Sequence, residues 1–345
     1  MSIITNRITD FIKTQNPEVK KSDFTIFSKN FFHEANPVDF DSYSDQDLYN
    51  AALSSFSFLS EKDFSGSKIR IFNPSNKKHG FESRHTFIEI VNSDAPFLVD
   101  SIVGYLDKNS VEIKNVLHPT YHVVRDEDGS LKSISFENKK RNESVIQLHV
   151  DKITSDIEIE SFTKGLSQLI KTINLVVDSW KKMVEVVNGS IAQIDNAELF
   201  IKNKNHLQEV KDFITWLLQG NFVFLGVKEF DIKKEEDSTY SLQGVKNSEF
   251  GVFCSQYDEM RPNVVNSTPK EIADSVANPY VLEIVKSRYR SKIHRIANAE
   301  RIRIQKIAKD GSVIGEYRII GLFTSSTYNQ SVSLIPLVRR KIEKV

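Results

Sequence analysis

Between His85 and Asp126 the sequence changes its periodicity twice, and that double change constrains what the surrounding chain can fold into. The stretch reads HTFIEIVNSDAPFLVDSIVGYLDKNSVEIKNVLHPTYHVVRD. His85–Asn92 alternates, with Phe87, Val91 and the two isoleucines apolar, which is the period of a strand. Asn92-Ser93-Asp94 supplies polar turn atoms, and Pro96 stands where a helix favours its start. Leu98, Ile102, Val103, Tyr105 and Leu106 then recur at helical spacing. Val111–Val124 returns to an extended, β-branched run, closed by Asp126-Glu127-Asp128-Gly129. The expected unit is strand, turn, helix, strand, with polar atoms gathered at the turn.

The flanks extend this unit on both sides. Residues 1–62 are expected to form an N-terminal helical extension, with Ile4, Ile8, Phe11 and Ile12 on one stripe and a second stripe in Asp45–Phe58. Lys68–Asn73 adds a short strand, and Leu131–Phe136 and Val145–Val150 add two more. A long helix is expected from Asp156 to about Val187, ended by Asn188-Gly189. The order β–β–α–β–β–β–α over 63–190 predicts an α+β fold, a ferredoxin-like sheet with helices on one face.

A second α+β domain is expected over 195–345. It opens with a helix at Asn205–Leu218, followed by strands at Phe222–Phe230, Tyr240–Val245, Glu249–Gln256, Tyr280–Val285 and Ser291–His294. A hairpin joins Ala299–Ala308 to Val313–Phe323 through Lys309-Asp310-Gly311-Ser312. Met260–Glu271 reads as a loop entering a short helix, and Gln330–Val345 as a closing helix with Pro336 near its start. A helix followed by antiparallel strands suggests a PAS-like sheet.

Bulk properties exclude several classes of function. A chain of 345 residues is long enough for two domains with sizeable cores. Lys+Arg and Asp+Glu are both 46, so the formal charge is zero and no overall basic field draws the chain to nucleic acid. The single cysteine, Cys254, excludes an internal disulfide and a thiolate metal cluster, and it fits a reducing cytoplasm. No run approaches the roughly 18–20 apolar residues of a membrane span, and the N-terminus lacks the apolar core of a signal peptide. A soluble cytoplasmic protein with neither nucleic-acid nor membrane partners is expected.

The motifs of common chemistries are missing. There is no G-x-G-x-x-G, P-loop, H-E-x-x-H, C-x-x-C or G-x-S-x-G, and the 13 glycines are scattered. No catalytic, cofactor-binding or metal residue is assigned, and no bound cofactor is expected of this chain. His118 and His122 lie four apart; on a strand that is about 13 Å, too far to share an ion, whereas on a helix they could share one. His85 is expected to start a strand and satisfy a local hydrogen bond.

The candidate binding residues are therefore those of the turn: Asn92, Asp94, Ala95, Pro96, Phe97 and Leu98. Asp94 has two readings that can coexist, a helix N-cap and a carboxylate meeting the ammonium of a small amino acid. Phe87, Tyr121, Val123, Phe222 and Phe224 would offer an apolar interface if they faced outward, but alternating aromatics ordinarily point into a core. Arg339-Arg340-Lys341 and Lys344 form a small basic cluster suited to a helix C-terminus.

A β-turn-helix-β unit with Asp-x-Pro at its turn resembles the ACT modules that sense small molecules. The resemblance becomes more specific along the chain. Asn73-Pro74, His79-Gly80-Phe81, His85-Thr86, Glu89-Ile90-Val91-Asn92, Pro96-Phe97-Leu98-Val99-Asp100-Ser101 and His118-Pro119 resemble the N-terminal segment of the large bacterial NAD-specific glutamate dehydrogenases. A second ordered block consists of Asn221-Phe222, Phe224-Leu225-Gly226, Gly315-Glu316, Gly321-Leu322-Phe323-Thr324-Ser325, Tyr328, Ile335-Pro336-Leu337 and Arg339-Arg340-Lys341. The match runs from roughly residue 40 to the last residue.

The resemblance implies ACT-like and PAS-like regulatory modules of an enzyme that oxidises L-glutamate to 2-oxoglutarate and ammonia while reducing NAD. The catalytic domain of that family has no counterpart here, and the chain reads as a fragment stopping ahead of it. Expected partners are another copy of the chain, the catalytic portion, and an amino-acid effector. Typical amino-acid-binding ACT modules have Gly after the turn proline, where this chain has Phe97, whose ring would fill the pocket. Two alternatives stand beside the regulatory reading: a free-standing amino-acid sensor, and the non-functional remnant of a split gene.

Overall fold

The protein is described by a computed structural model covering residues 3–61, 66–135, 142–254 and 267–342. It divides into two compact units, Met1–Lys171 and Thr172–Val345, and the division falls inside a single helix. Both units are α+β with antiparallel sheets.

In the first unit, three helices precede the sheet: α1 (Ile3–Thr14), α2 (Lys21–Phe31) and α3 (Asp45–Ser60). Ser44 and Asp47 form a capping box that fixes the start of α3. The chain continues through β1 (Ser67–Phe72), a single turn α4 (Asn76–His79), β2 (Thr86–Ser93) and α5 (Leu98–Lys108). Four strands follow: β3 (Ile113–Leu117), β4 (Thr120–Arg125), β5 (Leu131–Ser135) and β6 (Asn142–Val150). Helix α6 (Asp156–Ser190) closes the unit and crosses the division. The sheet order is β1-β2-β6-β4-β5, with β3 also paired to β6.

One extended run was expected over Val111–Val124, and it is two strands. His118-Pro119 interrupts it, because proline lacks the N–H a ladder needs and restricts its predecessor. β3 pairs with the far half of β6 and β4 with its first residues, Ser144↔Thr120 and Asn142↔His122. α6 also departs from expectation. It runs through Asn188-Gly189 to Ser190, since Gly189 does not take the positive φ of a capping glycine.

Every residue of β2 from Thr86 to Asn92 is buried, so both sheet faces are covered. Alternation puts Ile88, Ile90, Ile146 and Leu148 on one face, the face that the strand–helix–strand connection serves. The other face carries Val91, Tyr121, Val123 and Val145, which join one cluster with Ile4, Ile8, Phe24, Phe27, Leu48 and Phe56 of α1–α3. Helices on a single face were expected; the N-terminal helices instead complete a second core. Phe27 stacks on Tyr121 at 5.1 Å between centroids, and the tyrosine hydroxyl donates to Phe27 O at 2.8 Å. Phe87, Tyr121 and Val123 are core, as the alternation argument favoured.

The second unit contains α7 (Lys204–Trp216), β7 (Phe222–Lys234), β8 (Tyr240–Gly244), β9 (Phe250–Gly251), α8 (Pro269–Ala277), β10 (Leu282–Arg290), β11 (Asn298–Ile307) and β12 (Val313–Phe323). The short helices α9 (Ser325–Tyr328) and α10 (Arg339–Ile342) follow. The sheet order is β10-β11-β12-β7-β8, so the first and last long strands are neighbours at its centre. Phe222 and Phe224 are buried.

Three expectations change in this unit. β10 is one strand to Arg290, and Ser291–His294 is not a strand: His294 has φ +65°, outside extended geometry. Gln330–Val345 is not a single helix, because Leu337, directly after Pro336, has φ +67° and separates a turn of 3₁₀ helix from α10. The strand expected at Glu249–Gln256 is two residues, Phe250–Gly251, within the described part; Ser255–Asn266, including Met260, lie outside the described residues.

Candidate functional site

The six turn residues expected to bind an effector run from the end of β2, with Asn92, to the first residue of α5, Leu98, but they are held differently from the expectation. Asn92 is fully buried and donates Nδ2–H to Ser93 O at 2.6 Å. Asp94 is exposed and caps no helix, because α5 begins only at Leu98 and its N-cap residue is Phe97. The Asp94 backbone N–H bonds Asn142 O at 2.8 Å, and its Oδ1 accepts from Ser144 Oγ at 2.7 Å. Pro96 is exposed and precedes the helix by two residues instead of opening it.

Phe97 has φ +68° and ψ 0°, the left-handed conformation that a glycine adopts without steric cost. Its ring is half-buried, and its carbonyl accepts from Ser101 Oγ at 2.5 Å and Ser101 N at 3.0 Å. The backbone thus takes a conformation that glycine favours, with an aromatic side chain on it. Ala95 is half-buried and Leu98 is core.

Ser144 links this turn to a histidine. Its hydroxyl has one proton, which it donates to Asp94, and its oxygen lies 3.2 Å from His118 Nε2. His118 lines a cavity of about 210 Å³ together with Asn30, His33, Glu34 and Thr120. Burial pulls the His118 imidazole below its usual value, with Asp94 and Glu34 opposing. Among the described residues no group of three His, Cys, Asp or Glu is placed to hold a metal.

A buried polar network on the helix-covered face has no place in the expectations. Glu89, 2 % exposed, accepts at Oε1 from Ser55 Oγ and Gln147 Nε2, both at 2.5 Å, and at Oε2 from Arg70 Nε at 2.6 Å. Arg70 lies over the rings of Phe58 and Phe72, 4.6 Å from each centroid. Gln147 Oε1 faces His149 Nε2 at 2.8 Å, and His149 stacks on Phe87 at 3.9 Å. Burial, reinforced by His85, pulls His149 down to about 3. The signal was legible: a glutamate interrupts the apolar run TFIEIVN at the same parity as Phe87 and Val91.

The motif residues quoted above are structural where the hydrogen bonds are seen. Asn73 accepts from Thr86 Oγ1 at 2.7 Å and donates to Ile153 O at 2.8 Å, tying the start of β2 to the chain after β6. In the second unit the two motif strings are neighbouring strands, with Phe222↔Phe323 and Phe224↔Gly321. A Cβ on Gly226 would stand 2.8 Å from Val252 Cγ2, so the glycine lets β9 lie against β7. Arg339 grips Glu209 with Nε and Nη2, at 2.9 and 2.7 Å to Oε1, and reaches Asp212 at 2.6 Å. That pairs it with α7, not with a helix C-terminus.

Residues 27–166 match the family model described as the glutamate dehydrogenase ACT1 domain. The chain is 30 % identical over 303 residues to the NAD-specific glutamate dehydrogenase of Halomonas elongata. It is 28 % identical over 325 residues to that of Pseudomonas aeruginosa. The chain matches the N-terminal segment of the NAD-specific glutamate dehydrogenases. These alignments cover 87 % and 93 % of the chain but 19 % and 20 % of the relatives, so it spans about a fifth of their length. The ACT1 match contains the turn, Ser144, His118 and the Glu89 network, and it fits the ferredoxin-like sheet of the first unit. No helix among the described residues is long and apolar enough to cross a membrane.

Proposed function

We propose that this chain is a regulatory and scaffolding segment of an NAD-dependent glutamate dehydrogenase and carries no catalysis of its own. The complete enzyme would convert L-glutamate, NAD and water to 2-oxoglutarate, ammonia and NADH. The observation that carries the reading is the ACT1 match, which spans the whole sheet of the first unit. NAD belongs, on this reading, to a part of the enzyme outside this chain. The second unit serves as a PAS-like module, supported by its helix followed by an antiparallel sheet, and the setting is the cytoplasm. Partners are further copies of the chain and the catalytic portion. Purified chain supplied with L-glutamate and NAD is expected to give no rise in NADH absorbance; sustained turnover rejects the proposal.

A second reading, amino-acid sensing at Asn92–Leu98, is favoured by two observations at the turn. Phe97 preserves a glycine-like backbone at the turn, and Asp94 offers an exposed carboxylate there. Titration calorimetry against a panel of amino acids should show saturable heat that Asp94→Ala abolishes. Heat that survives this substitution, or none with any amino acid, removes the turn from consideration.

A further inference from the structure

We infer that the cavity beside His118 is a binding site for a small primary ammonium group, and that its occupancy is felt at Asp94 through Ser144. The argument starts from the direction of one hydrogen-bond chain. A carboxylate only accepts, so the Ser144 proton points at Asp94 Oδ1. Ser144 Oγ must then accept from His118, which places a proton on Nε2. With its usual affinity for a second proton lowered by burial, the imidazole is neutral near pH 7. Its other nitrogen, Nδ1, therefore carries a lone pair that can accept from a donor in the cavity.

The remaining lining has the same character. Asn30, His33, Glu34 and Thr120 line the cavity, and none of their side chains makes a hydrogen bond or ion pair among the described residues. Glu34 contributes a carboxylate, and Asp94 stands behind Ser144, so the field favours a cation. Leu117, Pro119 and Phe31 supply apolar walls. A volume of about 210 Å³ is roughly that of seven waters, enough for an amine of a few heavy atoms. His118 Nδ1 and the Glu34 carboxylate are both acceptors in this lining, the pairing that an N–H⁺ group with several donors seeks. The cavity exists because Pro119 breaks the strand: β3 and β4 part there, and the end of α2 closes over the gap.

The inference deepens the regulatory reading and rests on it only for what binding achieves. Its test uses the whole chain with histidine ring carbons labelled, the His118 signal being assigned by its loss in His118→Gln. Methylammonium chloride is expected to move that signal saturably in the millimolar range. Tetramethylammonium, which has no N–H, and sodium acetate are expected to leave it in place. Glu34→Gln, at an exposed position that the fold does not need, should weaken binding about tenfold through loss of a charge-assisted bond. Glycine compared with methylammonium separates an amino acid from a simple amine as the source, and tighter binding by either supports the site. No saturable shift, equal response to tetramethylammonium, or unchanged binding in Glu34→Gln overturns it. None of these failures touches the turnover test above, so the two proposals fall separately.

Discussion

Phe97 shows how a single residue can hold a backbone that favours glycine while carrying an aromatic ring. A left-handed conformation costs a non-glycine residue about 1 kcal/mol, and burial of half a ring returns a similar amount. Two substitutions separate these contributions. Phe97→Ala loses the ring and keeps the strain, whereas Phe97→Gly loses the ring and relieves it. Urea unfolding is expected to place Phe97→Gly about 1 kcal/mol above Phe97→Ala. Equal stabilities would mean that the φ of +68° carries no strain.

His149 is the other residue with a measurable signature. Its folded-state value, about 3, lies below the ordinary 6.5, so the folded protein favours the neutral ring. The stability this provides is complete above pH 6.5 and is lost as pH falls toward 3, in total on the order of a few kcal/mol. Unfolding free energy measured across that window is expected to fall with acid. In His149→Gln, which still offers Gln147 Oε1 a donor and cannot titrate, the slope should flatten; an unchanged slope excludes His149 as the cause.

At the level of elements, what the sequence reveals is what local pattern encodes. The turn-helix-strand unit, the long α6 and the β11–β12 hairpin follow from spacing and turn chemistry, and the Asp310-Gly311 turn stands where the pattern put it. Breaks caused by one residue's φ, at His294 and Leu337, leave no trace in hydrophobic periodicity. The role of α1–α3 was invisible for a different reason. Their stripes say that a face is buried, not against what, and only the structure pairs Phe24, Phe27 and Phe56 with Tyr121 and Val145. The same face hides the Glu89 network, assembled from β1, β2, β6 and α3. Likewise, His118 was legible as a histidine in an extended run, but its link through Ser144 to Asp94 joins positions 50 residues apart.

Removing Glu89 strips acceptors from Arg70, Ser55 and Gln147 together, and Arg70 is partly exposed, which softens the loss. Glu89→Ala is expected to cost about 3 kcal/mol. In the whole molecule this substitution has a selective readout. Both tryptophans, Trp180 and Trp216, belong to the second unit, whereas Glu89 belongs to the first. Far-UV dichroism of Glu89→Ala should show an early loss of structure, while the tryptophan fluorescence transition keeps its midpoint. A fluorescence midpoint that shifts with the dichroism would show that the two units melt as one.

The central position of β6 has a consequence for how the first unit moves. Its backbone is bonded by β2 along one side and by β3 and β4 along the other, in a sheet whose two faces are both covered. An amide proton there exchanges with solvent only when the pairing on its own side opens, and β6 has a neighbour on each side, which puts it with β2 among the slowest segments of the unit to open. Ser144, Gln147 and His149 all ride on it. Whatever perturbs them therefore pushes against a strand held on both sides, while the turn at Asp94–Phe97 and the break at His118-Pro119 have fewer ladder bonds to yield.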